Sequence, residues 1–228
     1  GSEDGSWEIV SNYAKIDKRI ILLQNDSKLG ISASMNRGLA LAQGKYIARM
    51  DADDISLPNR LEKQFRYMEE HPSIVMCGVR VEIFGTNPFE WELETESEQL
   101  ATNILFYSPC VHPTIMIRKA FLQENSIKYN EEYRASEDYD LFSQICRCGQ
   151  IANLDEVLFR YRIMENNATF KNNDIGMVIY CEVMKRQFKE LGLGFSSKEL
   201  HLLSPHYSVK GMKGLEVLKA IDQLSLLL

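Results

Sequence analysis

Positive charge is scarce in this sequence. Its 26 lysines and arginines are outnumbered by 32 acidic residues, leaving a net charge of −6. A chain of that sign lacks the basic face that binding to a nucleic-acid backbone requires. Long apolar runs are missing as well; none approaches the roughly 18 residues of a membrane span. No basic-then-apolar leader pattern stands at the start. The five cysteines, Cys77, Cys110, Cys146, Cys148 and Cys181, include no CxxC pair and no zinc spacing. Their odd number favours reduced thiols in a cytoplasm. A basic, glycine-rich phosphate loop is absent too, which counts against a sugar nucleotidyltransferase.

What is present is an alternation of periods. Residues 6–16, SWEIVSNYAKI, carry a helical apolar stripe at Trp7, Ile9, Val10, Tyr13 and Ala14. The run RIILLQ at 19–24 has the length and composition of a buried parallel strand. ISASMNRGLALAQG reads as a small-residue helix closed by Gly44. KYIARM is a second buried strand, expected at the sheet centre, and PNRLEKQFRYMEEHP is a helix punctuated by proline at both ends. SIVMCGVRVEIFG reads as strand, FEWELETESE as an acidic edge strand, TIMIRKAFLQEN as strand then helix, and LFRYRI as strand. SEDYDLFSQICRCG reads as a helix with Ser136 as its N-cap. This rhythm predicts an α/β body over residues 1–168 with a mainly parallel sheet flanked by helices. A helical extension is expected over 169–228.

Negative charge is concentrated in one place. The strand KYIARM runs straight into Asp51-Ala52-Asp53-Asp54. In open α/β sheets ligands sit at the carboxyl ends of the strands. An extended D-x-D there aims two carboxylates to the same side. Hard divalent cations take oxygen ligands, and Mg²⁺ commonly takes one or two carboxylates plus substrate phosphates. The competing reading is a helix cap by Asp54 or Ser56, which accounts for one acidic residue and not for three. Likewise, Glu137-Asp138 taken alone fits two acids in a first helical turn, where the dipole favours them.

The string NDSKLGISASMNRGLALAQGKYIARMDADDISLPNRLEKQ resembles the GT-A-fold, inverting glycosyltransferases of family two. SPCVHPTIMIRKAF is similar to that family's H-P-T strand and YRASEDYDLFSQI to its E-D-Y-D-L helix. The blocks run in the family's order from about residue 4 to 165. The resemblance implies a Rossmann-like GT-A fold, with Asp53 as ligand of Mn²⁺ or Mg²⁺ and Asp51 assisting through the metal or the donor's ribose. It implies Asp138 as general base, with Glu137 the runner-up. It also places Asn36, Ala52 and His112 in the donor region, although a lone histidine is more often structural. The implied donor is a nucleotide sugar, with UDP the expected carrier. The implied acceptor is a carbohydrate or lipid-linked glycan in cytoplasmic polysaccharide assembly, with the inner membrane face as a further expected location.

Two departures qualify the resemblance. The family opens with a strand, a helix and a second strand ending in D-D-G-S; here GSEDGSWEIV resembles the segment just after it. The expectation is that about thirty residues of base- and ribose-binding structure are lacking, so that this chain alone binds UDP-sugars weakly and self-associates through an open sheet edge. The histidine that follows the family's Y-R pair is replaced by Met164, whose thioether is a poor ligand for hard cations. Both departures keep a non-catalytic binding or scaffold module as the alternative function.

Overall fold

Two strands carry the sheet. Strand β3 (Ile74–Gly85) and β6 (Gln150–Ile163) run parallel along almost their whole length, from Ile74 opposite Gln150 to Gly85 opposite Ile163. They belong to a computed structural model that describes residues 4–86, 88–164 and 173–203. The remaining elements, in chain order, are α1 (Ser6–Ile16), α2 (Ile31–Leu41), β1 (Tyr46–Ala48), β2 (Ile55–Ser56) and α3 (Arg60–Glu70). After β3 come β4 (Phe89–Trp91), α4 (Ser97–Asn103), β5 (Met116–Arg118), α5 (Lys119–Glu124) and α6 (Glu137–Cys146); after β6, α7 (Asn173–Glu190) and α8 (Ser197–Leu203).

The sheet order is β1-β5-β3-β6-β2, with β4 also on β3. The long central ladder is parallel; the short flanking ladders, β1 on β5, β5 on β3, β2 on β6 and β4 on β3, are antiparallel. Helices flank this mixed sheet as expected. Alternation along β3 divides the core. Cys77, Val79, Val81 and Ile83 pack with Met68 of α3, while Met76 joins the side chains of α6 and α7. Each fully buried side chain of this size contributes about 1.5–3 kcal/mol.

Two expectations are corrected. The strand of KYIARM is not central: β1 pairs only with β5 and forms the end of the described sheet. RIILLQ forms no strand, and Ile20, Ile21 and Leu23 stand exposed. Apolar composition suits a strand for burial, but a strand forms only where a neighbour takes its backbone hydrogen bonds, and among the described residues this run has none. Helix α1 does form, yet it contributes no buried residue and leaves Trp7, Ile9, Val10 and Tyr13 exposed.

Helix α7 shares the core of the α/β body. Ile179, Tyr180, Val183, Met184 and Phe188 sit in one cluster with Tyr139, Leu141 and Phe142 of α6. Tyr180 stacks on Tyr139 with ring centroids 4.0 Å apart. Arg186 pairs at 2.7 Å with Asp140, which is buried. Residues 165–172, which include the expected junction between body and helical extension, lie outside the described residues. No helix among the described residues is long and apolar enough to cross a membrane.

Candidate active site

At the end of β1 the chain turns outward through Arg49 and Met50 into the aspartates. Two bonds fix that exit: Arg49 N–H donates to Ile115 O at 3.0 Å, and Arg60 Nη2 donates to Arg49 O at 3.2 Å. Arg60, the arginine of the P-x-R-L stretch, is 2% exposed. It also donates Nη1 to Pro113 O at 2.8 Å and lies over the Phe159 ring. One buried fork thus ties the aspartate turn to the His-Pro-Thr segment, a short 3-10 turn over His112–Thr114. Arg60→Lys keeps the charge but lacks the planar fork that reaches both carbonyls. It should cost about 2 kcal/mol of stability, read as a lower urea midpoint; an unchanged midpoint would show that one ammonium satisfies both acceptors.

Asp51, Asp53 and Asp54 each bring a carboxylate oxygen within 4.8 Å of the others. Their surroundings differ. Asp51 is half-buried and gripped through both oxygens, Arg49 Nη1 to Oδ2 and Nη2 to Oδ1, each at 2.6 Å. Burial nonetheless pushes its carboxyl above the usual range. Ala52 and Asp53 are exposed, and the Asp53 carbonyl accepts a bond from Arg162 Nε at 2.7 Å. Asp54 is buried: Oδ1 accepts the Arg162 backbone N–H at 2.8 Å, and Oδ2 has no partner. Burial lifts the Asp54 carboxyl to about 6. Asp54 is therefore no helix cap, and neither is Ser56. Helix α3 starts at Arg60 behind Asn59, without a side-chain cap bond. An all-oxygen set this tight, with one buried oxygen unpartnered, fits a hard divalent cation.

The second acidic pair opens α6. Ser136 precedes it in a left-handed conformation, φ 53°, and its Oγ donates to Gly176 O of α7 at 3.0 Å in place of capping the helix. Glu137 is buried and Asp138 half-buried, with Asp138 Oδ1 accepting the Tyr139 N–H at 2.8 Å. Burial, reinforced by the Asp138 charge, lifts Glu137 to about 7. The two acidic groups are electrostatic neighbours. The Asp51 charge raises Glu137, and the Tyr161 hydroxyl, pushed up mainly by burial, also feels Asp54, Asp51, Asp138 and Asp53.

A raised carboxyl implies a pH dependence of definite sign. Glu137 holds its proton more tightly folded, near 7, than the ordinary 4.5. Its contribution is therefore fully present below about pH 4.5 and is lost as pH rises through 7, at most about 3 kcal/mol. Without divalent ions, Glu137→Gln should be more stable than the unsubstituted protein at pH 8 and no more stable at pH 4. Parallel thermal-melt curves across that range would show that Glu137 is not held protonated.

His112 is buried, and its Nε2 shares a 2.7 Å hydrogen bond with the Tyr129 hydroxyl. Burial, with the Arg49 charge, depresses the imidazole well below its ordinary value, so it is neutral. Asn36 faces the same tyrosine from α2. Its Nδ2 donates to Tyr129 O at 2.9 Å and its Oδ1 accepts the Tyr129 N–H at 3.0 Å, while Nδ2 also donates to Glu131 at 2.8 Å. Asn36 thus clamps the backbone of the residue that holds His112. Met164, at the end of β6, is exposed. Two residues of this site, Arg49 and Tyr129, escaped the sequence reading, and Asp54 figured there as one of three clustered aspartates and as a competing helix cap. For Arg49 a signal existed, since it stands two residues before Asp51 and so on the same side of an extended chain.

A model of glycosyl transferase family 2 matches residues 1–148. The chain is 39% identical over 166 residues to an uncharacterized glycosyltransferase of Methanocaldococcus jannaschii, covering 68% of this chain and 55% of that protein. It is 34% identical over 169 residues to the O-antigen biosynthesis glycosyltransferase WbnJ of Escherichia coli, covering 72% and 64%. It thus spans little more than half to under two thirds of these relatives. Among solved structures, S. aureus TarS 1-349 in complex with UDP-GlcNAc superposes with a TM-score of 0.68 at 20% identity, over 98% of this chain and 68% of that one. At that identity the likeness speaks for the fold.

Proposed function

The chain belongs to glycosyl transferase family 2, and from that premise we propose that it moves a sugar, with inversion, from a nucleotide donor to a carbohydrate or lipid-linked acceptor. The observation that carries this reading is the nearness of two acidic groups, the aspartate turn after β1 and the Glu137-Asp138 pair on α6, close enough for the Asp51 charge to raise the Glu137 carboxyl. The relative named for O-antigen biosynthesis supports a glycan acceptor, and the TarS complex with UDP-GlcNAc supports a UDP-linked donor.

The chemistry divides between the groups. Asp53 and Asp51, with the unpartnered oxygen of Asp54, would hold Mn²⁺ or Mg²⁺. When bound, such an ion neutralises the departing nucleoside diphosphate. Asp138 takes the proton of the acceptor hydroxyl as that oxygen attacks the anomeric carbon from the face opposite the diphosphate. Glu137, beside it and near 7, is the second candidate for that proton. His112, buried and neutral, orients rather than ionises, and Asn36 steadies it through Tyr129. A test is to incubate the protein with a panel of nucleotide sugars and glycan acceptors and to measure nucleoside diphosphate release with Mn²⁺ and with chelator. Metal- and acceptor-dependent release is expected. Donor binding without any turnover, under every acceptor tried, would favour the non-catalytic module.

A further inference from the structure

The aspartate turn contains its own cation. Arg49 reaches Asp51 with both terminal nitrogens at 2.6 Å, a bidentate fork that fixes the carboxylate plane as well as its position. Its side chain is only 11% exposed, so the guanidinium stays inside the site rather than in bulk water. Its Nε is buried with no hydrogen-bond partner. Its charge is felt by Asp54 behind the turn, by His112 and Tyr129 at the 3-10 turn, and by Glu137 on α6. A divalent cation arriving at Asp51 therefore meets a carboxylate engaged through both oxygens and a fixed positive charge beside it.

We propose that Arg49 is a positioning residue that acts as an internal counter-ion of the acidic turn, competing with the divalent cation for Asp51 and weakening the binding of that cation alone. The inference rests on the metal reading of Asp51 and Asp53 given above. Two like charges a few ångströms apart at a partly buried site repel strongly enough to matter, even with a high effective dielectric. The consequence is a site that binds a cation poorly by itself. It loads well only with an anionic group, such as a diphosphate, that gives the displaced guanidinium a new partner. A purely structural arginine would act in the opposite direction, since its loss would let Asp51 swing away and would weaken the cation.

The test is Mn²⁺ alone, titrated into the protein and followed by electron paramagnetic resonance of the free ion. Arg49→Met and Arg49→Gln, which remove the charge, should bind Mn²⁺ about tenfold more tightly than the unsubstituted protein. Arg49→Lys, which keeps the charge, should stay within about threefold. Asp53→Ala serves as the control and should bind poorly in every background. If the neutral variants bind Mn²⁺ equally or more weakly while Asp53→Ala still abolishes binding, the counter-ion role is overturned and the metal site stands. If Asp53→Ala changes nothing, the metal reading fails and the inference falls with it. A measurement needing no substitution covers the case of unfolded variants. The Arg49 side-chain nitrogen resonances should shift on saturation with Mg²⁺, and resonances that do not move would overturn the proposal.

Discussion

Asp53→Ala will abolish sugar transfer and, in the same protein, lower the affinity for Mn²⁺ by about 100-fold or more. Loss of a group that merely supports a metal ligand already costs 10–100-fold, and Asp53 is placed to be a ligand itself. It is exposed at the tip of the turn, and its carboxylate lies within 4.8 Å of those of Asp51 and Asp54. Asp51 is held by Arg49 and Asp54 is buried against β6, so neither can move to replace it. Stability should change little, because an exposed side chain takes few contacts with it. Calorimetry with Mn²⁺ and nucleoside diphosphate, beside a transfer assay, reads both effects. Full Mn²⁺ affinity with lost transfer would move Asp53 from metal binding to some other role.

Asp138→Asn should instead separate chemistry from binding. A general base acts on the acceptor, so kcat should fall by roughly 10²–10⁴ while donor affinity stays nearly unchanged. The neighbouring Glu137 makes the comparison informative. If Glu137→Gln loses turnover and Asp138→Asn keeps it, the base is Glu137, whose carboxyl near 7 is suited to accept a proton at neutral pH. If both variants lose turnover alike, the pair acts as one unit sharing a proton.

The parts legible in the sequence were those with a local cause. Helix α3 is bracketed by proline, β3 is a long apolar run, and the D-x-D follows a strand end; each appears where its pattern places it. What escaped depends on residues far apart in the chain. RIILLQ has strand composition but no described strand beside it, and composition does not reveal a missing neighbour. The position of β1 at the end of the sheet follows from its pairing with β5, some seventy residues later. Ser136 looks like a cap, yet its hydroxyl is claimed by Gly176 across the core. Asp54 looked like a cap for the same reason, and the β6 backbone claimed it. Asn36 lies in a motif tied to the donor region, and its amide is engaged by Tyr129 from 93 residues away. In each case a short polar side chain has a local option and a distant one, and burial decides in favour of the distant one.

The parallel pairing of β3 with β6 also has a kinetic side. β3 is complete at Gly85, but its partner along the full length does not begin until Gln150. During synthesis the apolar face of β3 must therefore wait, at 5–20 residues per second, for several seconds or more before its neighbour leaves the ribosome. Bringing such distant segments together carries a loop-closure cost before any contact repays it, which slows folding. Before β6 emerges, β3 can pair with β4, which covers Val81, Glu82 and Ile83, and with β5, which covers Met76 and Cys77. The edge that β6 will take, from Ile74 to Gly85, is left open as the segment a chaperone would hold and the one by which two nascent chains would adhere.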